Sequence, residues 1–268
     1  MFRTTELSDP RFETGNLRYI TVKTPNLKGR GDICVFVPPL DTLANLPLVI
    51  LLHGVYGGSW VWTQKAGVHL SAWQMMEGGE IPPMVIAMPS DGLWGDGSGY
   101  VPHNGHNFEK WIIEDVPMAV MANITSVDKK SPLFISGLSM GGFGALRLGV
   151  KYRERFKAIS AHSSITDLDQ MALFVEEPLE GYLQEDEREN SVWSLIQDNP
   201  NSLPKLRFDC GTEDLLLEYN RKLHQQLQDK RISHVYEEFP GGHQWEYWSE
   251  HVKDTLRFFG GTIDQYII

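Results

Sequence analysis

"LFISGLSMGGFGALRL" (Leu133–Leu148) decides the fold. Leu133, Phe134 and Ile135 form an apolar run that reads as a buried strand, and a helical pattern starts directly after Gly141. Ser139 sits between them, with Gly137 two residues before it and Gly141 two residues after. A strand-to-helix turn tight enough to lift a serine hydroxyl clear of the backbone leaves no room for side chains at those two places. Gly142 and Gly144 leave further space as the helix begins. The plain alternative is a glycine-rich turn without chemistry, and the rest of the chain has to decide between the two.

Working outward, strands and helices alternate. Strands are expected at Arg18–Lys23, Asp32–Val37, Leu48–Leu52, Met84–Met88, Leu133–Ser136, Ala158–Ala161, Leu206–Cys210 and His234–Phe239. Helices are expected around Gln64–Met76, Phe108–Ile124, Met140–Tyr152, Leu215–Gln228 and Trp245–Phe259. This alternation predicts an α/β fold: a mainly parallel, eight-stranded sheet with helices on both faces. The first two strands have no helix between them, so an antiparallel hairpin at the sheet edge should open the fold. Residues 163–202, with the acid-rich "EEPLEGYLQEDERENS", break the rhythm. They read either as a solvated surface excursion or as a short lid-like insertion over a site. With no repeat or linker, 1–268 is expected to be a single domain.

A serine hydroxyl needs a base to become a nucleophile. Of the nine histidines, His243 in "EEFPGGHQWEYW" stands out, because it follows a strand in a glycine-rich turn before the last helix. Loops at the C-terminal edge of a parallel sheet are where side chains converge on a site. His224 and His251 lie in helical stretches, and His69 and His234 are isolated. A carboxylate must orient the imidazole, and "LRFDCGTEDLL" offers Asp209, Glu213 and Asp214. Asp214, past the Gly211 turn, is the best placed, although capping of the next helix would also explain it. The order Ser139, Asp214, His243 fits a nucleophile that follows a sheet strand. The loop "HGVYGG" after Leu52 can supply one backbone N–H to an oxyanion, and Met140, next to the serine, a second. His53 reads as structural rather than catalytic.

Composition narrows the function classes. The 268 residues are 41% hydrophobic with a formal net charge of -11, and no Lys/Arg stripe is available for a phosphate backbone. No nucleic acid partner is expected. No apolar run approaches the roughly 18 residues of a membrane span, and the charged "MFRTTELSDPRFETGNLRYI" lacks a signal-peptide core. No membrane partner is expected, and the chain reads as soluble and cytoplasmic unless a leader has been removed. Cys34 and Cys210 are expected to be small buried hydrophobes. His103 and His106, near Asp91 and Asp96, fit no strong metal spacing, so no metal and no cofactor are expected.

The blocks "LLHGVYGG", "MPSDGLWGDGSGY", "FISGLSMGGFGAL", "DCGTEDLL" and "GGHQWEYW" together resemble the esterase family of α/β-hydrolases. That group holds esterase D-like enzymes, tributyrin and feruloyl esterases, acetylxylan esterases, S-formylglutathione hydrolases and mycolyltransferases. The resemblance implies an α/β-hydrolase fold, a Ser139–Asp214–His243 triad and an oxyanion hole made by the Val55 and Met140 N–H groups. It implies a small-molecule ester substrate, and relatives of this kind often form homo-oligomers. Aromatic residues in the loops that should meet above the sheet, Tyr56, Trp94 and Trp245, are candidate substrate contacts, with ordinary loop packing as the alternative. Trp60, Trp62 and Trp248 fall in or beside the same loops. The expected activity is that of a serine carboxylesterase acting on short-chain or aryl esters through an acyl-enzyme. The alternatives are S-formylglutathione or feruloyl- and acetyl-carbohydrate hydrolysis, acyl transfer to an acceptor other than water, and a hydrolase fold retired to binding.

Overall fold

The computed structural model describes residues 2–40, 43–198, 200 and 202–267, so positions 199 and 201 of the acidic excursion lie outside the described residues. The chain begins with strands β1 (Thr5–Leu7), β2 (Leu17–Thr24), β3 (Gly29–Phe36) and β4 (Leu48–Leu52). Helices α1 (Val61–Gln64) and α2 (Val68–Glu77) lead to β5 (Val85–Pro89). A two-stranded ribbon follows, β6 (Pro102–His103) and β7 (His106–Asn107), and then α3 (Phe108–Lys110) and α4 (Val116–Asn123). Next come β8 (Leu133–Leu138), α5 (Met140–Lys151) and β9 (Phe156–His162). After the excursion, which contains α6 (Val192–Asp198), the chain closes with β10 (Lys205–Gly211), α7 (Leu217–Asp229), β11 (Val235–Phe239) and α8 (Trp245–Ile267).

The main sheet runs β1-β2-β3-β5-β4-β8-β9-β10-β11. The β1–β2, β2–β3 and β3–β5 pairs are antiparallel, and the others are parallel. The central strands are apolar on both sides, because both faces of the sheet are covered. In β4, Leu48, Ile50 and Leu52 face one core with α4 and α5, while Val49 and Leu51 face the other with α2 and α8. In β8, Ile135 and Phe134 divide the same way. Along α8, Val252, Leu256, Phe259 and Ile263 recur at helical spacing and are buried.

The sheet therefore has nine strands rather than the expected eight. The extra one, β1, is a three-residue edge strand with every residue exposed, so no hydrophobic pattern announces it. The expected helix at Gln64–Met76 is two helices, broken where Gly67 turns left-handed at φ 59°. The expected helix at Phe108–Ile124 is interrupted by a π-helical turn, Trp111–Asp115. Pro117, which has no N–H to give the ladder, sits just after that turn.

Candidate active site

β4, β8, β10 and β11 all deliver a loop to the same edge of the sheet. Ser139 follows β8 directly, in the strained conformation φ 53°, ψ -119°, which the closeness of neighbouring backbone enforces. A Cβ on Gly137 would come within 2.2 Å of the Gly141 carbonyl oxygen, and one on Gly141 within 2.5 Å of the His53 carbonyl oxygen. Both contacts are with backbone, which cannot swing aside. Gly141→Ala is therefore expected to displace the turn at a cost of about 3 kcal/mol. The readout is a fall in melting temperature together with a loss of covalent labelling at Ser139. A variant that labels at the wild-type rate would contradict this account of the turn.

The three sequence-selected side chains meet. His243 Nε2 lies 3.0 Å from Ser139 Oγ, and His243 Nδ1 lies 3.1 and 3.0 Å from the two carboxylate oxygens of Asp214. With Nδ1 facing a carboxylate, the ring proton belongs there, and Nε2 is left to accept from the serine. Asp214 also accepts the Leu216 N–H at 2.8 Å, so it combines a helix-start contact with its contact to the histidine. Burial pushes its carboxyl up, but the His243 hydrogen bond and charge, the Leu216 amide and the Ser163 hydroxyl outweigh that, and it lies below the usual carboxylate range. Close loop packing permits the arrangement: a Cβ on Gly211 would meet the Gly241 carbonyl oxygen at 2.2 Å.

The β4 loop also comes up against the serine. A Cβ on Gly54 would lie 3.3 Å from the Ser139 Cβ. His53 braces this loop: its Nε2 accepts the Asp91 N–H at 3.1 Å and its Nδ1 donates to the Gly54 carbonyl at 2.6 Å. Among the described residues, neither the Val55 N–H nor the Met140 N–H has a protein acceptor. Two donors thus remain available beside the hydroxyl. Asp209, the alternative carboxylate, is fully buried against His162, Arg207 and Tyr247, away from His243.

Above Ser139 and His243 lies a cavity of about 540 Å³, walled by Tyr56, Trp60, Lys65, Phe174, Trp245 and Trp248. Tyr56 and Trp245 are thus where the sequence placed them. Trp94 is not. Bracketed by left-handed Leu93 and Gly95, it packs edge-on against His103 and Tyr182 and is absent from the cavity wall. His103 is likewise a packing residue, with Nε2 3.0 Å from the Ser98 carbonyl. Trp62 is core, at 1% exposure, and His234 is not isolated but lies 2.8 Å from the His224 ring nitrogen. Among the described residues, no group of three or more His, Cys, Asp or Glu could hold a metal, and no helix is long and apolar enough to cross a membrane.

Sequence reasoning missed Phe174, whose ring stacks on His243 at 5.1 Å. The excursion carries it there. Tyr56 donates to the Phe174 carbonyl, the Asp96 N–H donates to Glu177 at 2.8 Å, and Tyr182 donates to the Gly97 carbonyl at 2.9 Å. Only the return path of the excursion shows this. Lys65 was also unmarked, and its ammonium lies 5.5 Å over the Trp245 ring.

Residues 24–259 match the family model named Esterase, described as "Putative esterase". The chain belongs to this esterase family. That membership makes it a carboxylic ester hydrolase. It is 28% identical over 240 residues to an acetyl esterase of Caldicellulosiruptor saccharolyticus, covering 82% of this chain and 85% of that protein. Among solved structures, a ferulic acid esterase superposes with a TM-score of 0.79 at 23% identity, covering 98% of this chain and 100% of the other. An S-formylglutathione hydrolase from Agrobacterium tumefaciens also gives 0.79, at 20% identity and 97% and 99% coverage. At that identity the two structures establish the α/β-hydrolase fold.

Proposed function

We propose that this family member hydrolyses short-chain or aryl carboxylic esters through a covalent acyl-enzyme on Ser139. The continuous contact from Ser139 Oγ through the His243 ring to Asp214 carries this reading. Ser139 Oγ attacks the ester carbonyl carbon as its proton passes to His243 Nε2. The N–H groups of Val55 and Met140 hold the oxyanion, each worth roughly a hundred- to a thousand-fold in rate. Asp214 keeps the proton on Nδ1 and stabilises the imidazolium. When the C–O bond to the alcohol breaks, the alcohol oxygen takes the proton from Nε2. Water then attacks the acyl-enzyme by the same path and restores the serine.

The cavity suits a small ester with a flat or short apolar portion, since Tyr56, Trp60, Phe174, Trp245 and Trp248 contribute rings to its wall. Similarity to an acetyl esterase supports acetyl as one acyl class. Tyr56 and Trp245 would then contact the substrate, and residues 163–202 would cover the site through Phe174.

A fluorophosphonate probe and an ester panel test the reading. Mass spectrometry should find one adduct, on the peptide that contains Ser139. The panel of aryl acetate, aryl butyrate, methyl ferulate and S-formylglutathione should show one preferred acyl class, with acid and alcohol released in equal amounts. An unlabelled protein that turns over no panel member would overturn the proposal. Acyl product accumulating on an added sugar instead of water would convert it to acyl transfer.

A further inference from the structure

The Val55 N–H, one of the two donors beside Ser139, is aimed by its own peptide and by the next one. Its own peptide is held through the Gly54 carbonyl, which accepts from His53 Nδ1 at 2.6 Å. The next peptide ends at Tyr56, whose N–H donates to the Asp96 carbonyl at 2.8 Å. Tyr56 is 68% exposed and left-handed, at φ 58°. A tyrosine keeps that conformation only where contacts from outside impose it. The donor therefore points where it does because Asp96 stays in place.

Asp96 is held in turn by the excursion. Its N–H donates to Glu177 Oε1 at 2.8 Å, and its Oδ2 accepts the Glu176 N–H at 2.9 Å. The bonds run both ways, each carboxylate taking a main-chain N–H of the other segment in a charge-assisted bond. The Tyr182 hydroxyl adds a third link, to the Gly97 carbonyl at 2.9 Å. Gly97 packs against both donor residues: a Cβ there would come within 2.5 Å of Met140 Sδ and 3.3 Å of Val55 Cγ1. Neither Asp96 nor Glu177 lines the cavity above Ser139, so truncating either removes no part of its wall.

We propose that Asp96 and Glu177 act as positioning residues for the oxyanion hole, a clasp through which the excursion fixes the Val55 N–H. The inference rests on the esterase reading above. It gives residues 174–177 a part in the chemistry as well as a place over the cavity. With the clasp open, Tyr56 loses the acceptor that imposes its backbone, and the Val55 N–H turns away from the place where negative charge develops. Such a donor matters more to the transition state than to the bound ester.

Asp96→Ala and Glu177→Ala, with Asp96→Asn and Glu177→Gln beside them, test this on the full chain. The probes are an aryl trifluoromethyl ketone and the alcohol made by reducing it. Ser139 Oγ adds to the ketone carbonyl carbon as its proton passes to His243 Nε2, which leaves a tetrahedral adduct bearing an oxyanion. The alcohol fills the same cavity without one. Rates are expressed per active site titrated with a fluorophosphonate, so that a misfolded fraction does not count. Each alanine variant should lose roughly ten- to a hundred-fold in kcat/KM on an aryl acetate, the size expected of a misplaced catalytic group. Its inhibition constant for the ketone should rise by the same factor, and that for the alcohol by much less. The amide variants should recover most of the loss, because an amide oxygen still accepts the same N–H.

Wild-type rates in both alanine variants would overturn the proposal. Equal weakening of ketone and alcohol would overturn it too, because the clasp would then only shape the cavity through Phe174. Amide variants as poor as the alanine ones would do the same. Ser139→Ala, run in parallel, separates the two readings. If it stays active, or if the wild type binds the ketone no more tightly than the alcohol, the esterase reading falls. Tight ketone binding that survives in both alanine variants removes the clasp alone.

Discussion

Ser139→Ala is expected to lose about a million-fold in kcat on any ester the wild type turns over, the loss seen when a working triad loses its nucleophile. The change removes one oxygen from a residue that is 1% exposed. It leaves intact the main-chain bonds from the Ser139 N–H to His162 and from the Phe143 N–H to the Ser139 carbonyl. Folding should therefore be untouched, and the melting temperature should stay within a few degrees of wild type. Alanine does not relieve the φ of 53°, so the variant keeps the strained turn and the Val55 and Met140 N–H groups beside it. Those donors and ordinary binding should leave a residual acceleration of roughly a thousand-fold over water. His243→Ala should fall nearly as far, and the double variant hardly further, because nucleophile and base act as one unit. Initial rates on one aryl ester, with burst-phase measurements to detect the acyl-enzyme, decide the matter. A Ser139→Ala enzyme within a hundred-fold of wild type would mean that another group attacks the carbonyl.

The parts of this site that were legible in sequence are those whose signals are local. Gly137 and Gly141 flank Ser139 because backbone oxygens stand 2.2 and 2.5 Å from where a methyl would go, and such crowding leaves its mark on the residues themselves. Asp214 and His243 could be picked out because each follows the end of a strand that the hydrophobic pattern reveals. The unreadable parts depend on contacts between distant segments. Phe174 reaches His243 only through the path of the excursion, and Asp96 is significant only because the excursion brings Glu177 to it. Trp94 shows the converse. Its loop does approach the site, but left-handed turns on either side direct the ring into a separate aromatic cluster. β1 escaped notice because three exposed residues carry no periodicity.

The second large effect concerns the base of the excursion. Arg147, on the helix that begins beside Ser139, is fully buried. It donates to Glu109, on α3, and to Glu189, in the excursion, through a side-chain contact to each, and also reaches the Glu189 carbonyl at 3.1 Å. Lys151 closes the box at 2.9 Å from Glu109 and 2.7 Å from Glu189, and the Tyr152 hydroxyl donates to Glu109 at 2.5 Å. Two cations thus balance two carboxylates, with Arg147 and Glu109 buried and Lys151 and Glu189 partly exposed at the rim. Arg147→Met would leave both carboxylates to share one lysine, at a cost of about 3–5 kcal/mol, because the unpaired charge keeps its desolvation penalty. For a chain of this size that corresponds to a fall of roughly 10 °C in melting temperature.

Adding Glu109→Gln should recover part of the loss, because the amide still accepts from Tyr152 and charge balance returns. The deficit should also narrow in acid. Burial pushes the Glu109 carboxyl up, but Arg147, Tyr152 and Lys151 outweigh it and hold the group below its ordinary range. Stability from that shift is present above the unfolded carboxylate range and is lost as pH falls through the folded value. Wild type therefore loses in acid what the variant never had. Thermal melts across that range give the answer, and an Arg147→Met protein that melts with wild type would show that the box contributes nothing. Because the box ties the excursion to the helix behind Ser139, the loss should spread to the site: fluorophosphonate labelling of the variant should slow well below its melting temperature, as Phe174 leaves His243.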